Sequence, residues 1–328
     1  MARLSRRAVL RGAGAAGVAG SFGFSIIGRA APPTLRMGHG AAAEEQVWLL
    51  MVKPEMGKNH GKSYILQHTR FQSSSQRAQA FEAGAIDLTM GGANGVIFAA
   101  AAGVEGKMIA SVSRESKRGF STSFYVKSDS PIQSVPDMKG KVIGINGFST
   151  SGHLWLIAAL KRHNLTDKDV RITPVGFSAM QESLRAGRVD VGMFPQPFAA
   201  LLEKQDKVRK IFDAKYGMPF DEELIVIQGK DAYLKQNAEA IRGFLEDVRI
   251  ATDYYLAHPR EARQLLIDKK MVRVVPEVYL DMQDYYREPT LQIDVDSLGK
   301  MQEFQLEAKF QDKSVDVKAL VDLSYLPK

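Results

Sequence analysis

Short apolar runs alternate with helix-type patterns along most of the chain, and this alternation predicts an α/β fold. One part of the pattern occurs twice, as "AFEAGAIDLTM" (residues 80–90) and "SLRAGRVDVGM" (residues 183–193). Each copy contains the end of a helix, a glycine and a short apolar strand. Gly84 and Gly187 can adopt the left-handed conformation that ends a helix. We therefore expect two similar α/β lobes.

The loops that follow the apolar strands indicate where a ligand binds. "GGANG" (residues 91–95) and "FPQPF" (residues 194–198) come directly after the repeated strands. "TLRMGHG" (residues 34–40) and "KVIGING" (residues 141–147) likewise run from a strand into a glycine turn. Open α/β sheets bind ligands at the carboxyl ends of their strands. Two lobes that face each other with these edges would enclose a cleft.

Two further extended runs predict how the lobes are connected. "SFYVKSDS" (residues 123–130) leaves the first half, and "ELIVIQGKD" (residues 223–231) follows the second half. An amphipathic helix over residues 238–259 comes afterwards. We expect the chain to cross into lobe two and return, and the alternative is two lobes in tandem with a plain linker. The predicted bounds are 34–122 plus 228–328 for lobe one, 126–222 for lobe two, and a hinge near 123–127 and 223–227.

The N-terminus has the pattern of an export signal. "SRRAVLR" (residues 5–11) resembles a twin-arginine motif, and the uncharged run over residues 12–27 is short for a membrane span. Gly28 and Ala30 are small residues at the minus-three and minus-one positions of a cleavage site, so we expect a cleaved signal over residues 1–30. The alternatives are the general export route and a basic tail. The chain has no cysteine, which excludes a lipid anchor on cysteine, so the expected location is the periplasm.

The formal net charge of +7 does not indicate a nucleic-acid partner. Residues 1–30 contain five arginines and no acid, which leaves 39 bases against 37 acids in the rest of the chain. Nucleic-acid binding requires a cluster of positive charge, and no such run is present after residue 30. We therefore expect no nucleic-acid partner.

Two glycine-containing loops invite catalytic interpretations that their spacing argues against. "GKNHGKS" (residues 57–63) has three residues between its glycines, whereas a phosphate loop has four and joins a strand to a helix. Here the patterns predict a helix before the loop and a strand after it. "GFSTS" (residues 147–151) resembles a nucleophile elbow but has Ser151 at the second glycine position. The histidines, at 39, 60, 68, 153, 163 and 258, show no metal-site spacing.

The same "GFSTS" segment places three hydroxyl groups at the predicted start of a helix. Helix N-termini carry unpaired N–H groups and the positive end of the helix dipole, which favour anions. N-capping requires only one of Ser149, Thr150 and Ser151. We expect at least one of the other two to contact a ligand.

Four segments together resemble a known family: "FEAGAIDLTMGGANGVIFAAAAG" (81–103), "VPDMKGKVIGINGFSTSGHLWLIAALKRHNL" (135–165), "LRAGRVDVGMFPQPF" (184–198) and "DVKALVDLSYLPK" (316–328). They are similar to solute-binding proteins of ABC importers in the nitrate/sulfonate/taurine group, which includes THI5-like pyrimidine binders. The resemblance implies a two-lobed periplasmic-binding-protein fold of type II, two crossing strands and a cleft. It also implies a small-molecule solute, a membrane permease and an ATPase as partners. We expect a monomer that needs no cofactor and is not an enzyme.

The resemblance also implies a set of ligand-contacting positions on the cleft loops. They are His39, Ser73, Gly92, Ala93 and Asn94 in lobe one, and Phe148, Ser149, Thr150, Ser151, Pro195 and Gln196 in lobe two. The family often has an acid at the position of Gln196, and the uncharged amide here favours an anionic solute, such as a sulfonate, a carboxylate or nitrate. A thiamine-precursor pyrimidine is an alternative.

A pyrimidine-precursor synthase on the same fold is a further alternative. That enzyme holds pyridoxal phosphate on a lysine and carries a cysteine-rich motif, which this chain lacks. An extracytoplasmic sensor domain is the third interpretation, although no signalling module is evident in the sequence.

Overall fold

Apolar segments form ten strands in two five-stranded sheets in the computed structural model, which describes residues 31–328. The first sheet has the order β2-β1-β3-β10-β4. The strands β1 to β3 run parallel, and β10 runs antiparallel to β3 and β4. The bounds are β1 Thr34–His39, β2 Ile65–Arg70, β3 Leu88–Gly91, β4 Lys107–Glu115 and β10 Glu222–Gly229.

The second sheet repeats this topology with the order β7-β6-β8-β5-β9. The strands β6, β7 and β8 are parallel, and β5 is antiparallel to β8 and β9. The bounds are β5 Ser123–Lys127, β6 Val142–Ile145, β7 Arg171–Pro174, β8 Val191–Phe194 and β9 Val208–Asp213. The predicted α/β fold with two lobes is confirmed.

The two crossings of the chain differ in position from the predicted hinge. Residues 123–127 are strand β5 of the second sheet, and residues 223–227 lie within β10 of the first sheet. The chain therefore crosses between the sheets in residues 116–122 and returns in residues 214–221. The prediction of a double crossing is confirmed, but the extended runs that suggested a hinge are extended because they pair with neighbouring strands. The lobe boundaries remain a proposal.

Twelve helices in residues 31–328 cover the sheets. Those packed with the first sheet are α1 Glu45–Val52, α2 Ser74–Glu82, α3 Ala93–Ala101, α8 Asp231–Gln236, α9 Ala238–Ala257, α10 Pro259–Asp268, α11 Pro276–Asp281 and α12 Val295–Glu307. Those packed with the second sheet are α4 Ser151–Lys161, α5 Phe177–Arg185, α6 Phe198–Gln205 and α7 Ala214–Gly217. Gly84 and Gly187, which follow α2 and α5, have φ values of +72° and +68°. The predicted glycine stops are confirmed.

Each sheet has its own hydrophobic core, and one of the cores extends into both lobes. Trp48 and Phe244 pack with the first sheet, and both are almost fully buried. Burial of one such side chain contributes roughly 1.5–3 kcal/mol. The core of the second sheet also includes Ile97 of α3 and Leu298 of α12. Apolar contacts therefore join the two lobes beside the edges where the strands end.

The loop over residues 57–63 binds a carboxylate that belongs to the protein. Asp247 of α9 is fully buried, and its carboxylate accepts hydrogen bonds from the backbone N–H groups of Lys58, Asn59 and His60 at 2.7–3.2 Å. The Tyr64 hydroxyl also donates to it at 2.8 Å. The loop joins α1, through a short 3₁₀ turn, to β2, so the prediction of a helix-to-strand loop is confirmed.

The predicted export signal over residues 1–30 lies outside the described residues. Between residues 31 and 328, none of the helices combines the length and the apolar composition that crossing a bilayer requires.

Candidate ligand-binding site

The loops that follow the parallel strands of both sheets surround one cavity of about 140 Å³. Residues 40–44, 71–74 and 92–95 reach it from β1, β2 and β3, and residues 146–152 reach it from β6. Gly176, Phe177 and Pro195 complete the wall on the side of the second sheet. Parallel strands end at a common edge, so the repeated strand–loop–helix pattern places these loops together.

Five of the helices in residues 31–328 begin at this cavity, namely α1, α2, α3, α4 and α5. Ser73 caps α2, because its hydroxyl accepts a hydrogen bond from the N–H group of Gln76 at 3.2 Å. Gly92 precedes α3, where a Cβ atom would lie 2.7 Å from Asn94 Oδ1. The N-terminal ends of several helices therefore point their positive dipoles at one volume, which favours an anion there.

The three hydroxyls at the start of α4 have three different roles. Thr150 is the N-cap, and its Oγ1 accepts from the N–H group of His153 at 3.4 Å and donates to the Gly147 carbonyl at 2.7 Å. Ser151 Oγ donates across the cavity to Asn94 Oδ1 at 2.7 Å. Ser149 has φ +56°, and its hydroxyl makes no side-chain hydrogen bond to the described part of the chain. Ser149 therefore keeps a polar group available to a ligand.

Four of the residues that the sequence suggested do not line the cavity: His39, Ala93, Phe148 and Gln196. Ala93 is fully buried at the start of α3, where it belongs to the shared core. Phe148 is 54% exposed and contacts His153 edge-on. The amide of Gln196 is occupied internally, because it donates to the Gln283 carbonyl and accepts from the N–H group of Ala200.

His39 ends β1, and its imidazole is buried below the cavity wall. Its ring lies beside Trp48 and His68, and burial together with the neighbouring His68 lowers the pKa of His39 to about 3. The ring is therefore neutral at physiological pH. Ser73, Gly92, Asn94, Ser149, Thr150, Ser151 and Pro195 do line the cavity, although their role as ligand contacts remains a proposal.

Sequence reasoning missed several side chains that line the cavity. Apolar and aromatic groups form much of its wall, among them Phe71, Trp155, Phe177, Met193 and Tyr285. Glu44 and Arg77 supply its charged groups. Glu44 follows the glycine turn after β1 and directly precedes a helix, which is a signal that could have identified it. Arg77 lies inside α2, where no local pattern separates it from a surface arginine.

Glu44 and Arg77 form a buried pair in the cavity wall. Their side chains are 1% and 8% exposed, and Arg77 Nη1 lies 3.5 Å from Glu44 Oε1. Glu44 Oε2 accepts hydrogen bonds from the N–H group of Gly40 at 2.8 Å and from Trp48 Nε1 at 3.2 Å. Burial nevertheless raises the pKa of Glu44 to about 7. Burial also lowers the pKa of Arg77 from its ordinary value.

Tyr285 connects the cavity to a loop of the second lobe. Its hydroxyl accepts a hydrogen bond from the N–H group of Gln196 at 3.1 Å and lies 2.9 Å from Thr122 Oγ1. Thr122 belongs to the first crossing between the sheets. The segment that carries Tyr285 therefore contacts both the crossing and a cavity loop.

A family model described as NMT1/THI5 like matches residues 68–262, which is more than half of the chain. The chain belongs to the NMT1/THI5-like family. This finding confirms the resemblance on which the sequence interpretation rests.

Two relatives of this NMT1/THI5-like chain have descriptions that point to different solutes. An Escherichia coli protein, provisionally named an aliphatic sulfonates-binding protein, is 26% identical over 271 residues, which cover 81% of this chain and 80% of that protein. A Haemophilus influenzae protein, provisionally named a thiamine biosynthesis protein, is 33% identical over 154 residues. The second match covers 45% of this chain and spans about half, 46%, of its relative.

Solved structures agree with the architecture of the NMT1/THI5-like chain. The alkanesulfonate-binding protein SsuA from Xanthomonas axonopodis pv. citri, bound to MOPS, superposes with a TM-score of 0.73 at 19% identity, covering 90% of this chain and 99% of that one. A Candida albicans gene product with the generic periplasmic binding protein fold gives 0.71 at 13% identity, with coverages of 90% and 98%. The desulfurization enzyme DSZB gives 0.63 at 14% identity, with coverages of 89% and 97%. The predicted periplasmic-binding-protein fold is confirmed.

The cavity of this NMT1/THI5-like chain does not assemble the parts of a serine hydrolase. His153 Nδ1 accepts a hydrogen bond from the backbone N–H group of Ser149 at 3.2 Å, and not from its hydroxyl. Burial lowers the pKa of His153 to about 4. Within residues 31–328, no cluster of three or more His, Asp or Glu side chains is placed to hold a metal ion. The arrangement is suited to binding a small molecule through hydroxyl, amide and guanidinium groups.

Proposed function

We propose that the chain is the periplasmic solute-binding component of an ABC importer. It would capture a small anionic organic solute, such as a sulfonate or a carboxylate, or a nitrate-like anion, and deliver it to a membrane permease and its ATPase. The observation that carries this proposal is the cavity lined by loops of both sheets, at which five helices begin. The E. coli relative supports the same role, because its name describes a sulfonate-binding protein.

The solute would act by holding the two lobes together. A ligand that contacts both lobes binds the closed arrangement more tightly than an open one, so it shifts the equilibrium toward closure. The hydrogen bond from Ser151 to Asn94 joins the two lobes beside the cavity. It would form when the lobes close around the solute. We expect a monomer that undergoes a hinge motion in residues 116–122 and 218–221, the segments between the elements of the two sheets.

A thiamine-precursor pyrimidine is the second candidate solute. The Haemophilus relative favours it through its name, and the aromatic side chains in the wall, Phe71, Phe177 and Tyr285, could stack on a planar ring. The export signal, if it is cleaved as expected, would place a binder of either solute in the periplasm.

An enzyme on this scaffold is the third candidate, since DSZB shares the fold. A cysteine nucleophile is excluded because the chain has no cysteine. The cavity offers Ser149 without a base at its hydroxyl, which favours binding over turnover.

A thermal-shift screen of the chain without residues 1–30 tests the proposal. The probes are alkanesulfonates of increasing length, MOPS, benzoate, nitrate and an aminopyrimidine, in a buffer without sulfonate groups. A solute at a hundred times its Kd should stabilise the protein by about 2.7 kcal/mol, and mass spectrometry should recover it unchanged. If no probe raises the Tm, the binding role is wrong, and if a product accumulates, the enzyme candidate replaces it.

A further inference from the structure

Arg77 has more hydrogen-bond donors than its protein contacts use. A guanidinium carries five N–H donors, yet within residues 31–328 this side chain makes one hydrogen bond, from Nη1 to Glu44 Oε1 at 3.5 Å. That distance is at the long limit for a hydrogen bond. The side chain is 8% exposed and lines the cavity. Arg77 also lines a neighbouring cavity of about 100 Å³ beside Gly91. Most of its donor capacity is therefore not used by residues 31–328 and is available to a molecule bound beside it.

The other buried arginines in the described part of the chain have several acceptors each. Arg114 donates from Nε to Glu223 at 2.8 Å and from Nη2 to the Gln292 carbonyl at 2.6 Å. Arg287 donates to Gln46, Glu45 and Asp284, at 2.7, 2.5 and 3.0 Å. Arg263 donates to the Tyr255 hydroxyl, to backbone carbonyls and to Asp284. Buried polar groups normally find such partners, so Arg77 is the exception and lies where a ligand would be.

Glu44 supplies the counter-charge for Arg77. Its carboxylate is fixed on the Oε2 side by the N–H groups of Gly40 and Trp48, and only Oε1 faces Arg77. A carboxylate or sulfonate offers a guanidinium two oxygens in a plane or a fork, which gives shorter and stronger hydrogen bonds than this contact. An anion in the cavity would therefore compete well with Glu44 for Arg77.

We propose that Arg77 binds the anionic group of the solute and that Glu44 is the internal counter-ion which the solute's anion replaces. This inference rests on the proposed function and specifies how that site recognises charge. It assigns the solute to the organic anions and places the charged end of the solute at the α1 and α2 side of the cavity.

Anion binding should then be accompanied by proton uptake at Glu44. Two negative groups beside one guanidinium repel each other, which favours the protonated form of Glu44. The other charged or titratable groups near Glu44 do not offset this effect. Glu45, the next residue, forms an ion pair with Arg287 at 2.5 Å. His39 is neutral because its pKa is about 3. Tyr285 is neutral because burial raises its pKa well above the ordinary value.

The pH dependence of solute affinity distinguishes an anion bound at Arg77 from a cation bound at Glu44. Glu44 has a pKa of about 7 without ligand, so it must take up a proton when an anion binds above that pH. Affinity for an anion should fall as pH rises above about 7, by up to about tenfold per pH unit for one proton. A cation bound to the Glu44 carboxylate would show the opposite trend.

The experiment is calorimetric titration with butane-1-sulfonate and benzoate, neither of which titrates near neutral pH, between about pH 6 and about pH 8.5. The wild-type affinity should fall toward high pH, and a pH electrode in unbuffered solution should detect proton uptake. Glu44→Gln should bind more tightly than wild type at high pH and lose the pH dependence. Thermal unfolding monitors the fold of each variant.

Arg77→Gln alone would leave Glu44 buried without its partner, so Arg77→Gln combined with Glu44→Gln keeps the pair neutral. This double variant should lose at least about tenfold in affinity compared with Glu44→Gln. Arg36→Gln is the control, because it removes a lobe-one arginine that pairs with Asp87 away from the cavity. The control should bind as wild type does.

Each result has one meaning. If the double variant binds either anion as well as Glu44→Gln does, or if wild-type affinity for both anions rises with pH, the role of Arg77 and Glu44 is wrong while the binding function stands. If the wild type binds neither these anions nor any probe of the thermal-shift screen, both proposals fail. If it binds only the aminopyrimidine, the anion assignment alone fails.

Discussion

Two glycine-containing loops in this chain differ in whether the protein itself supplies a partner for their polar groups. The loop over residues 57–63 encloses the Asp247 carboxylate with three backbone N–H groups and the Tyr64 hydroxyl. The turn over residues 147–151 caps α4 through Thr150, and the Ser149 hydroxyl has no hydrogen-bond partner within residues 31–328. In the first loop the anion is part of the protein, and in the second the polar groups face a cavity. A loop with free donor groups in its sequence therefore indicates a ligand site only where the fold supplies no internal acceptor for those groups.

Removal of the internal anion should have the largest effect. Asp247→Ala would leave several buried donors unsatisfied, and each such group costs about 1–3 kcal/mol. We expect the free energy of unfolding to fall by at least about 3 kcal/mol, as measured by urea denaturation. The protein that remains folded should keep its solute affinity, since Asp247 lies outside the cavity.

Asp253→Ala is the matched control for Asp247→Ala. Asp253 lies on the same helix, α9, and forms an exposed pair with Arg249. Its removal should change stability by no more than about 0.5 kcal/mol. Equal losses for both variants would mean that the loop does not depend on the buried carboxylate.

Two substitutions in the turn at the start of α4 should have different effects, one on the stability of the fold and the other on the affinity for the solute. Thr150→Ala removes the N-cap and should cost about 1 kcal/mol of stability. Ser149→Ala should leave the Tm unchanged and weaken solute binding by roughly two- to tenfold, the value of one hydrogen bond. Urea denaturation and calorimetry measure the two quantities. A large loss of stability in Ser149→Ala would show that its hydroxyl serves the fold instead.

Removal of the hydrogen bond between Ser151 and Asn94, which joins the lobes, should have the smallest effect. Ser151→Ala removes the hydrogen bond to Asn94 Oδ1, which lies at the cavity edge, where water can replace it. We expect affinity to fall about two- to threefold, mainly through faster solute dissociation in stopped-flow measurements, because closure loses one neutral hydrogen bond. Unchanged dissociation would indicate that the apolar contacts of Ile97 and Leu298 determine closure.

Much of the site could be predicted because it follows from local rules. The loops after β1, β3 and β6 are marked by glycine and by the change from strand to helix pattern, and each of them reaches the cavity. His39 and Gln196 show where this reasoning fails. Both lie in loops or strand ends of the expected kind, but His39 packs under the wall and the amide of Gln196 bonds to Gln283 and Ala200.

The sequence by itself determined the α/β class, the double crossing, the glycine stops at Gly84 and Gly187 and the family, because helix and strand periods and turn residues are local properties of the chain. Only the tertiary structure decided which polar groups remain available. Lys58 and Asp247 are 189 positions apart, and Glu44 and Arg77 are 33 positions apart. The hydrogen-bond partner of a buried group is fixed by how distant segments pack. No local pattern could therefore show that the N–H groups of residues 58–60 have an acceptor while most donors of Arg77 have none within residues 31–328.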